Sequence, residues 1–573
     1  MSVVRRLRAA FSLCLLFTSS GFCQQAESTA TSASDQTAAA PQQAPQSLAD
    51  LARKLRKNKP ADVKMSGEEG KELFRSVDKV FNFASDDTGF PRRAPIKKAV
   101  VGQADIEKFT KERLGREDYA QRFGRSELTM KKFGLLPRDF DLREFLVKAN
   151  GQSVAGLYDE ETKTIWLLNT VAFDRQGPIL AHELTHALQD QNYDLKHWAN
   201  RGDKSSKMKG AEDESGNDET STARHAIVEG QAMVVYIDFL LAPWGRNLKD
   251  TPGVVASMQD SAVSATIDTE LMHRAPMLLR EAGSFPYRDG LFFEADVLAK
   301  RGKEAAFQGV FAHPPRNTHE VFDSNAYLEH AKLPPMQIPD VRPLLSDYEV
   351  FDAGSFGELD VRALLKQFGD KHGATDFAPA WQGGSYVAFK RTQTGSQPTT
   401  ADVALLYVSH WRTTQAAEHF ARFYATTVAW RYKNAKVQDV PTCSVAPCPV
   451  GAALVTTEEG PVIVEEWPDN TVIVSESFDS ATAAKLSSAV RTSTREQRAW
   501  IGAQEELGMR LYSLPAFRAL QRRVEDSFLK VWQIEGQAPT FLQKGNSKTY
   551  VSEETGRIPY CGCETHQYNA ADW

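Results

Sequence analysis

The chain has 573 residues, of which 42% are hydrophobic and 25% are charged, and its formal net charge is −6. This composition is ordinary for a globular protein, and the length is too great for a single hydrophobic core. The small negative charge, without a basic stripe interleaved with aromatic residues, argues against a nucleic-acid partner.

The N-terminus has the pattern of an export signal. Three arginines within the first 8 residues precede an apolar run, 9–18, that is too short to span a bilayer. We therefore expect residues 1–23 to be a signal peptide, with a retained anchor as the alternative. The protein would then be periplasmic, in the cell envelope or extracellular, without a transmembrane segment after signal removal. Cys23 is a candidate lipid-anchor site, although the bulky Phe22 before it disfavours lipidation.

The next region changes from a linker to helices and a hairpin. Residues 24–47 have almost no large apolar side chains, which predicts a disordered linker. Two short apolar runs, 154–158 and 164–168, flank a polar turn and predict a β-hairpin. Helical periodicity before that hairpin covers 66–83, 104–114 and 117–133.

The segment after the hairpin predicts two buried helices. Gly177-Pro178 marks the start of a helix that contains His182-Glu183-Leu184-Thr185-His186. Residues 201–222 are charged and rich in Gly and Ser, which predicts an exposed loop. A strongly apolar helix is expected from 223 to 241.

The composition changes near residue 345. Apolar β-type runs and helical patterns alternate after it, which predicts a separate α+β domain. Cys443 and Cys448 flank a Pro-containing loop and are the disulfide candidates of an exported protein. The predicted organisation is a signal peptide (1–23), a linker (24–47), a main folded domain (48–345), an α+β accessory domain (346–545) and an irregular tail (546–573).

The HELTH segment predicts a metal centre. His182 and His186 are four residues apart, so a helix presents both imidazoles on one face to one cation. Glu183 beside them is placed to take a proton from a metal-bound water whose pKa zinc lowers towards neutrality. The bland alternative is a pair of unrelated surface histidines.

A catalytic zinc needs a third protein ligand. A histidine six residues after His186 is excluded, because position 192 is Asn. Glu229 fits, since it is an isolated acid in an apolar helix where an uncompensated charge is costly. Pairing with Arg224 is its structural alternative, and His225 is a rival ligand or a residue behind the ligands.

Other polar residues are candidates for supporting roles. Asp190 is one turn after His186 and could orient that imidazole, or be a solvated helix acid. An oxyanion must be met by a donor. Tyr193 is the candidate nearest the motif, and a structural role is the alternative for each candidate. The downstream candidates are Tyr287, Arg288, His313 and His319. The strand 164–169 is expected to be a sheet edge that pairs with an extended peptide, with ordinary core packing as the alternative.

HELTH followed by a glutamate on a later helix resembles the gluzincins, the thermolysin-like clan of metallopeptidases. The segments 155–159, 181–191 and 229–232 are similar to an uncharacterised family of exported bacterial and archaeal HExxH proteins. Segments at 285–290, 314–327, 356–358 and 381–384 extend that resemblance. Thermolysin-like enzymes have an Asp soon after the ligand Glu, whereas Ala232 and Met233 stand in that region here.

The resemblance implies a zincin-like α+β metallopeptidase domain with mostly helical surroundings. It implies one Zn²⁺ per chain, held by His182, His186 and Glu229, with Glu183 as general base. The expected partner is a peptide or protein substrate. The alternatives are an envelope or surface protein that keeps zinc for binding or structure, and a zinc hydrolase acting on another bond.

Overall fold

The computed structural model describes residues 65–493, except for 103, 106–107, 109–111, 113–116, 152–155, 170, 172, 174–175, 199–216, 252–253, 256–269, 332, 334–337, 394, 396 and 441–446. Its helices are α1 (Gly67–Thr88), α2 (Glu117–Phe133), α3 (Leu142–Gly151), α4 (Gln176–Tyr193), α5 (Leu195–Trp198), α6 (Asn217–Leu241), α7 (Glu270–His273), α8 (Met277–Arg301), α9 (Val310–Ala312), α10 (Thr318–Phe322), α11 (Ser324–Leu328), α12 (Glu358–Gln367), α13 (Lys371–Asp376), α14 (Thr414–Arg431) and α15 (Ser480–Thr492). Its strands are β1 (Lys97–Val101), β2 (Gly156–Asp159), β3 (Thr164–Leu168), β4 (Tyr348–Ser355), β5 (Trp381–Arg391), β6 (Val403–Trp411), β7 (Lys436–Gln438), β8 (Gly451–Thr457), β9 (Gly460–Glu466) and β10 (Thr471–Glu476).

The fold is α+β, with helices around a small sheet and then a larger sheet. The small sheet has the order β1-β3-β2, with β1 parallel and β2 antiparallel to β3. The large sheet is antiparallel, in the order β4-β5-β6-β10-β9-β8-β7. The β2–β3 hairpin confirms the prediction from the two short apolar runs.

The expectation that residues 164–169 form a sheet edge is wrong. Thr164–Leu168 pairs on one side with β2 and on the other with Lys97–Val101, a strand that the sequence did not signal. The side chains of β1 are exposed or half-exposed, so its sequence lacks the alternation of apolar and polar residues that predicts a strand. β2 is therefore the edge strand that lies beside α4.

Helix boundaries follow local signals where those signals are strong. Ser66 caps α1 through a capping box with Glu69, and Gly89 ends the helix in the left-handed conformation. α4 begins at Gln176, with Pro178 in its first turn as predicted. α6 begins at Asn217, earlier than the predicted start at 223, because the polar end of the presumed loop is its first turn.

α6 packs between α4 and α8. A Cβ added at Gly230 would lie 2.3 Å from the backbone oxygen of Gly290, and one at Gly290 would lie 2.2 Å from that of Ala226. Gly230 therefore allows a close approach of α6 to α8.

One helix in the described part of the chain, Glu219–Trp244, is long and apolar enough to cross a membrane by length and composition alone. Within its most apolar window, 78% is buried inside the protein, which is also how the core helix of a soluble protein behaves. That helix also contains Glu229.

The large sheet shares its core with the helical region. One hydrophobic cluster includes Leu184 and Val235 from the helices together with Tyr407 and Val474 from the sheet. This core continues across residue 345, and the predicted domain boundary there stays a prediction.

A set of buried and half-buried charges, here called the sheet cluster, joins α2 to the large sheet: Lys132, Arg138, Arg431, Glu459 and Glu476. Lys132 Nζ donates to the Glu459 carboxylate at 2.8 Å, to Ser477 Oγ at 2.7 Å and to the Thr400 carbonyl at 3.0 Å. Arg431 lies 3.2 Å from Glu476. Burial lowers the pKa of Lys132, while Glu476 and Glu459 oppose that shift.

Several predictions fall outside the described residues: the signal peptide, the linker, the lipid-anchor candidate Cys23, most of 104–114 and the tail 546–573. Cys448 is disulfide-bonded. Its predicted partner Cys443 lies outside the described residues, so this pairing stays a prediction.

Candidate metal centre

His182, His186 and Glu229 converge between α4 and α6. The Nε2 atoms of the two histidines are 2.9 Å apart, and each is 3.2 Å from Glu229 Oε2. The three side chains are among the buried residues, and within the described part they form the group able to hold a metal ion. The structure thus brings together the three ligands predicted from the sequence.

The carboxylate of Glu229 lies against the imidazoles of His182 and His186. Burial raises its pKa, but His186 and then His182 outweigh burial and hold the pKa well below its usual value. Arg224, the alternative partner, instead donates to the Trp198 carbonyl and stacks on that indole. His225 Nε2 lies 3.8 Å from Glu229 Oε1, whereas the other two imidazoles contact Oε2.

Glu183 faces the edge strand β2. The backbone N–H of Tyr158 donates to Glu183 Oε2 at 2.6 Å. Oε1 is buried and has no hydrogen-bond partner among the described atoms. A Cβ added at Gly156 would lie 2.9 Å from Ile179 and 3.4 Å from Glu183 Oε1, so glycine lets β2 approach α4 closely.

Asp190 neither orients His186 nor is a solvated helix acid, so both alternatives raised from the sequence are wrong. Its Oδ2 accepts from the Tyr158 hydroxyl at 2.7 Å and from Lys163 at 2.5 Å, and its Oδ1 accepts from the Leu195 N–H. The partner of His186 is Gln189, three positions further along the helix, whereas Asp190 is four positions further. Gln189 Oε1 lies 2.9 Å from His186 Nδ1. Asp190 therefore fixes the edge strand against α4.

The stabiliser candidates occupy different surroundings. Tyr287 is fully buried, and its ring lies parallel to that of His182 with the centroids 6.1 Å apart. Tyr193 stacks on Phe311 at 4.1 Å. His313 is exposed, and its carbonyl accepts from the Tyr327 hydroxyl.

The other two candidates are engaged elsewhere. Arg288 pairs with Asp289 and Glu281. His319 pairs with Glu358. Of the five, Tyr287 is the one that the structure places against a ligand histidine.

Three residues that support the site were not predicted from the sequence: Tyr158, Gln189 and Gln231. Gln189 Nε2 donates to Gln231 Oε1 and to the Val228 carbonyl, both at 3.0 Å. Two glutamines in otherwise apolar helix faces were a usable signal, because a buried amide needs partners. Tyr158 gave no such signal, since its position follows from the pairing of β2 with β3.

One protein-family model matches part of the chain, and no individual protein matches it. A family model described as a domain of unknown function, DUF8575, matches residues 347–486, which covers the large sheet and most of α15. Neither a curated protein nor a solved structure matches the chain. The match covers about a quarter of the chain, and none of the three predicted ligands lies in it.

Proposed function

We propose that this protein is an exported zinc-dependent metallopeptidase whose catalytic domain is zincin-like. The observation that carries the proposal is the convergence of His182, His186 and Glu229 on one point, with Glu183 on the same helix as the two histidines. Peptide hydrolysis, export and the zincin-like architecture rest on the resemblance of the HELTH segment and its neighbours.

The donor set fits zinc. Two imidazoles and one carboxylate are a ligand set of catalytic zinc sites. Donors bound about 2.0–2.1 Å from a tetrahedral ion lie about 3.3 Å apart. The observed separations of 2.9 Å and 3.2 Å are close to that value.

The residues of the chain would then divide the chemistry. A bound zinc ion supplies a water of lowered pKa and polarises a carbonyl oxygen. Glu183 holds the proton taken from that water, through the Oε1 atom that has no other described partner. Tyr158 fixes the other oxygen of Glu183 and so aims the carboxylate.

Replacing Glu183 by Gln tests the mechanism. We expect the variant to keep one zinc per chain and to hydrolyse a peptide library about 10²–10⁴-fold more slowly than the wild type, because an amide cannot take the proton. Metal content by mass spectrometry and cleavage of the library are measured on the same samples.

Two variants complete this experiment. His182→Ala should lose both zinc and hydrolysis. Asp194→Asn, at an exposed position with φ 55° that Asn tolerates, should keep both. Undiminished hydrolysis by Glu183→Gln would overturn the proposed mechanism.

A second candidate is a protein that holds zinc for structure or binding. The burial of the ligands favours it, because His182, His186 and Glu229 are only 0%, 3% and 2% exposed, whereas catalytic zinc keeps a position open to water. Wild-type protein that binds zinc but cleaves no member of the library would support this candidate.

A further inference from the structure

His186 is tied to a chain of two buried amides. Its Nδ1 lies 2.9 Å from Gln189 Oε1, and Gln189 Nε2 donates to Gln231 Oε1 at 3.0 Å. Gln231 Nε2 in turn donates to the carbonyls of Ala306, at 2.8 Å, and Phe307, at 3.1 Å. Both glutamine side chains are fully buried.

The donor and acceptor roles in this series of hydrogen bonds are fixed at the end furthest from His186. Backbone carbonyls only accept, so the atoms of Gln231 and Gln189 that face Ala306, Phe307 and Val228 must be the amide nitrogens. Each amide oxygen then faces back towards the histidine. Gln189 Oε1 can only accept, and His186 must donate to it from a protonated Nδ1.

This series of hydrogen bonds ends at a π-helical turn. Ala305–Gly309 is a turn of π-helix, in which Val310 N–H bonds to the Ala305 carbonyl. The wider π turn displaces the carbonyls from α-helical partners, and such turns often occur at functional sites. Ala306 and Phe307 use these carbonyls to hold Gln231.

We propose that Gln189 and Gln231 are positioning residues that hold His186 in its Nδ1–H tautomer and connect the metal centre to the π turn 305–309. The unprotonated Nε2 of that tautomer points towards His182 and Glu229, where a metal would bind. This inference rests on the proposed function for the metal, but the tautomer of His186 is a property of the metal-free chain. Neutral amides here take the part that a carboxylate plays in many zinc sites.

We call the hydrogen-bonded connection from His186 through Gln189 and Gln231 to the π turn the relay. Zinc affinity, measured by competition with a chelator, tests it. Gln189→Met removes the acceptor at similar volume, and we expect zinc affinity to fall about 10–100-fold. Gln231→Met should lower it about 3–10-fold, because Gln189 then loses one of its two fixed acceptors. If Gln231 acts through Gln189, the double variant should bind zinc as Gln189→Met does.

Gln176→Met is the matched control. Gln176 is a fully buried amide on the same helix, and its Nε2 donates to the Leu168 and Val171 carbonyls rather than towards a ligand. It should lower the free energy of unfolding but leave zinc affinity unchanged. Equal losses of zinc affinity in Gln176→Met and Gln189→Met, or additive losses in the double variant, would overturn the relay.

The tautomer gives a readout that a merely structural role would not move. In metal-free protein with ¹⁵N-labelled histidine at pH 8, His186 should be protonated at Nδ1 in the wild type and a mixture of tautomers in Gln189→Met. Gln189→Glu keeps the acceptor and serves if the Met variant does not fold. It should preserve the Nδ1–H tautomer, and an Nε2–H signal in the wild type would refute the proposal. A wild type that binds no zinc would remove the proposed function while this spectrum still decides the relay.

Discussion

Two groups of buried charge in this protein compensate their carboxylates differently. In the sheet cluster, Glu476 meets Arg431, and Glu459 meets Lys132 and Arg138, so each anion has a permanent cation beside it. In the group of His182, His186 and Glu229, here called the metal group, the ion-pair partners of Glu229 are imidazoles. An imidazole carries charge only when it is protonated. Two Nε2 atoms 2.9 Å apart cannot both hold a proton between them.

The difference distinguishes a cluster that is complete in itself from the proposed metal-binding group. A buried ion pair that is complete in itself holds elements together, and its removal costs stability. A carboxylate and two imidazoles directed at one point are complete only with a cation that they share. The following substitutions should therefore affect folding in one group and ligand-dependent stability in the other.

The largest effect is expected from Lys132→Met. Two buried carboxylates then lose the same cation, and breaking a buried pair in this way costs about 3–5 kcal/mol of unfolding free energy. Chemical denaturation measures it. Lys148→Met, in an exposed pair with Glu144, should cost less than about 1 kcal/mol. Equal costs for the two variants would show that the sheet cluster is not structural.

Zinc should stabilise the wild type and not a variant that lacks a ligand. At a free zinc concentration 100 times the dissociation constant, we expect the unfolding free energy to rise by about 2.7 kcal/mol. His182→Ala should abolish this increment, whereas His419→Ala, whose imidazole pairs with Asp370 outside the group, should keep it. A zinc increment that survives in His182→Ala would contradict the assigned ligands. Lys132→Met should retain the increment if it folds.

A pH-dependent effect is expected at Glu219, a buried carboxyl in neither cluster. Burial, with Asp360 and Glu358 nearby, raises its pKa to about 8, although Thr318 donates to it twice. A raised pKa means that its contribution to stability is full below about 4.5 and is lost as the pH rises through about 8. Glu219→Gln should therefore gain stability relative to the wild type as the pH rises from 5 to 8.

Denaturation at pH 5, 6.5 and 8 measures this trend. Glu144→Gln, at an exposed position, is the control and should follow the wild type at each pH. A difference between Glu219→Gln and the wild type that stays constant across these pH values would refute the predicted pH dependence.

The sequence by itself determined the local features of the candidate site. Spacing of i and i+4 on a helix places His182 and His186 on one face whatever surrounds them. The cost of an uncompensated charge in an apolar helix singled out Glu229. The same kind of local pattern predicted the hairpin of β2 and β3 and the start of α4 at Gly177-Pro178.

Only the tertiary structure decided which side chains support the ligands. Asp190 and Gln189 are neighbours in sequence, and the packing of β2 and α6 against α4 assigns Tyr158 to one and His186 to the other. The π turn that holds Gln231 is 75 residues away along the chain. Such contacts depend on how helices and strands approach one another, and helix or strand periodicity does not encode that approach.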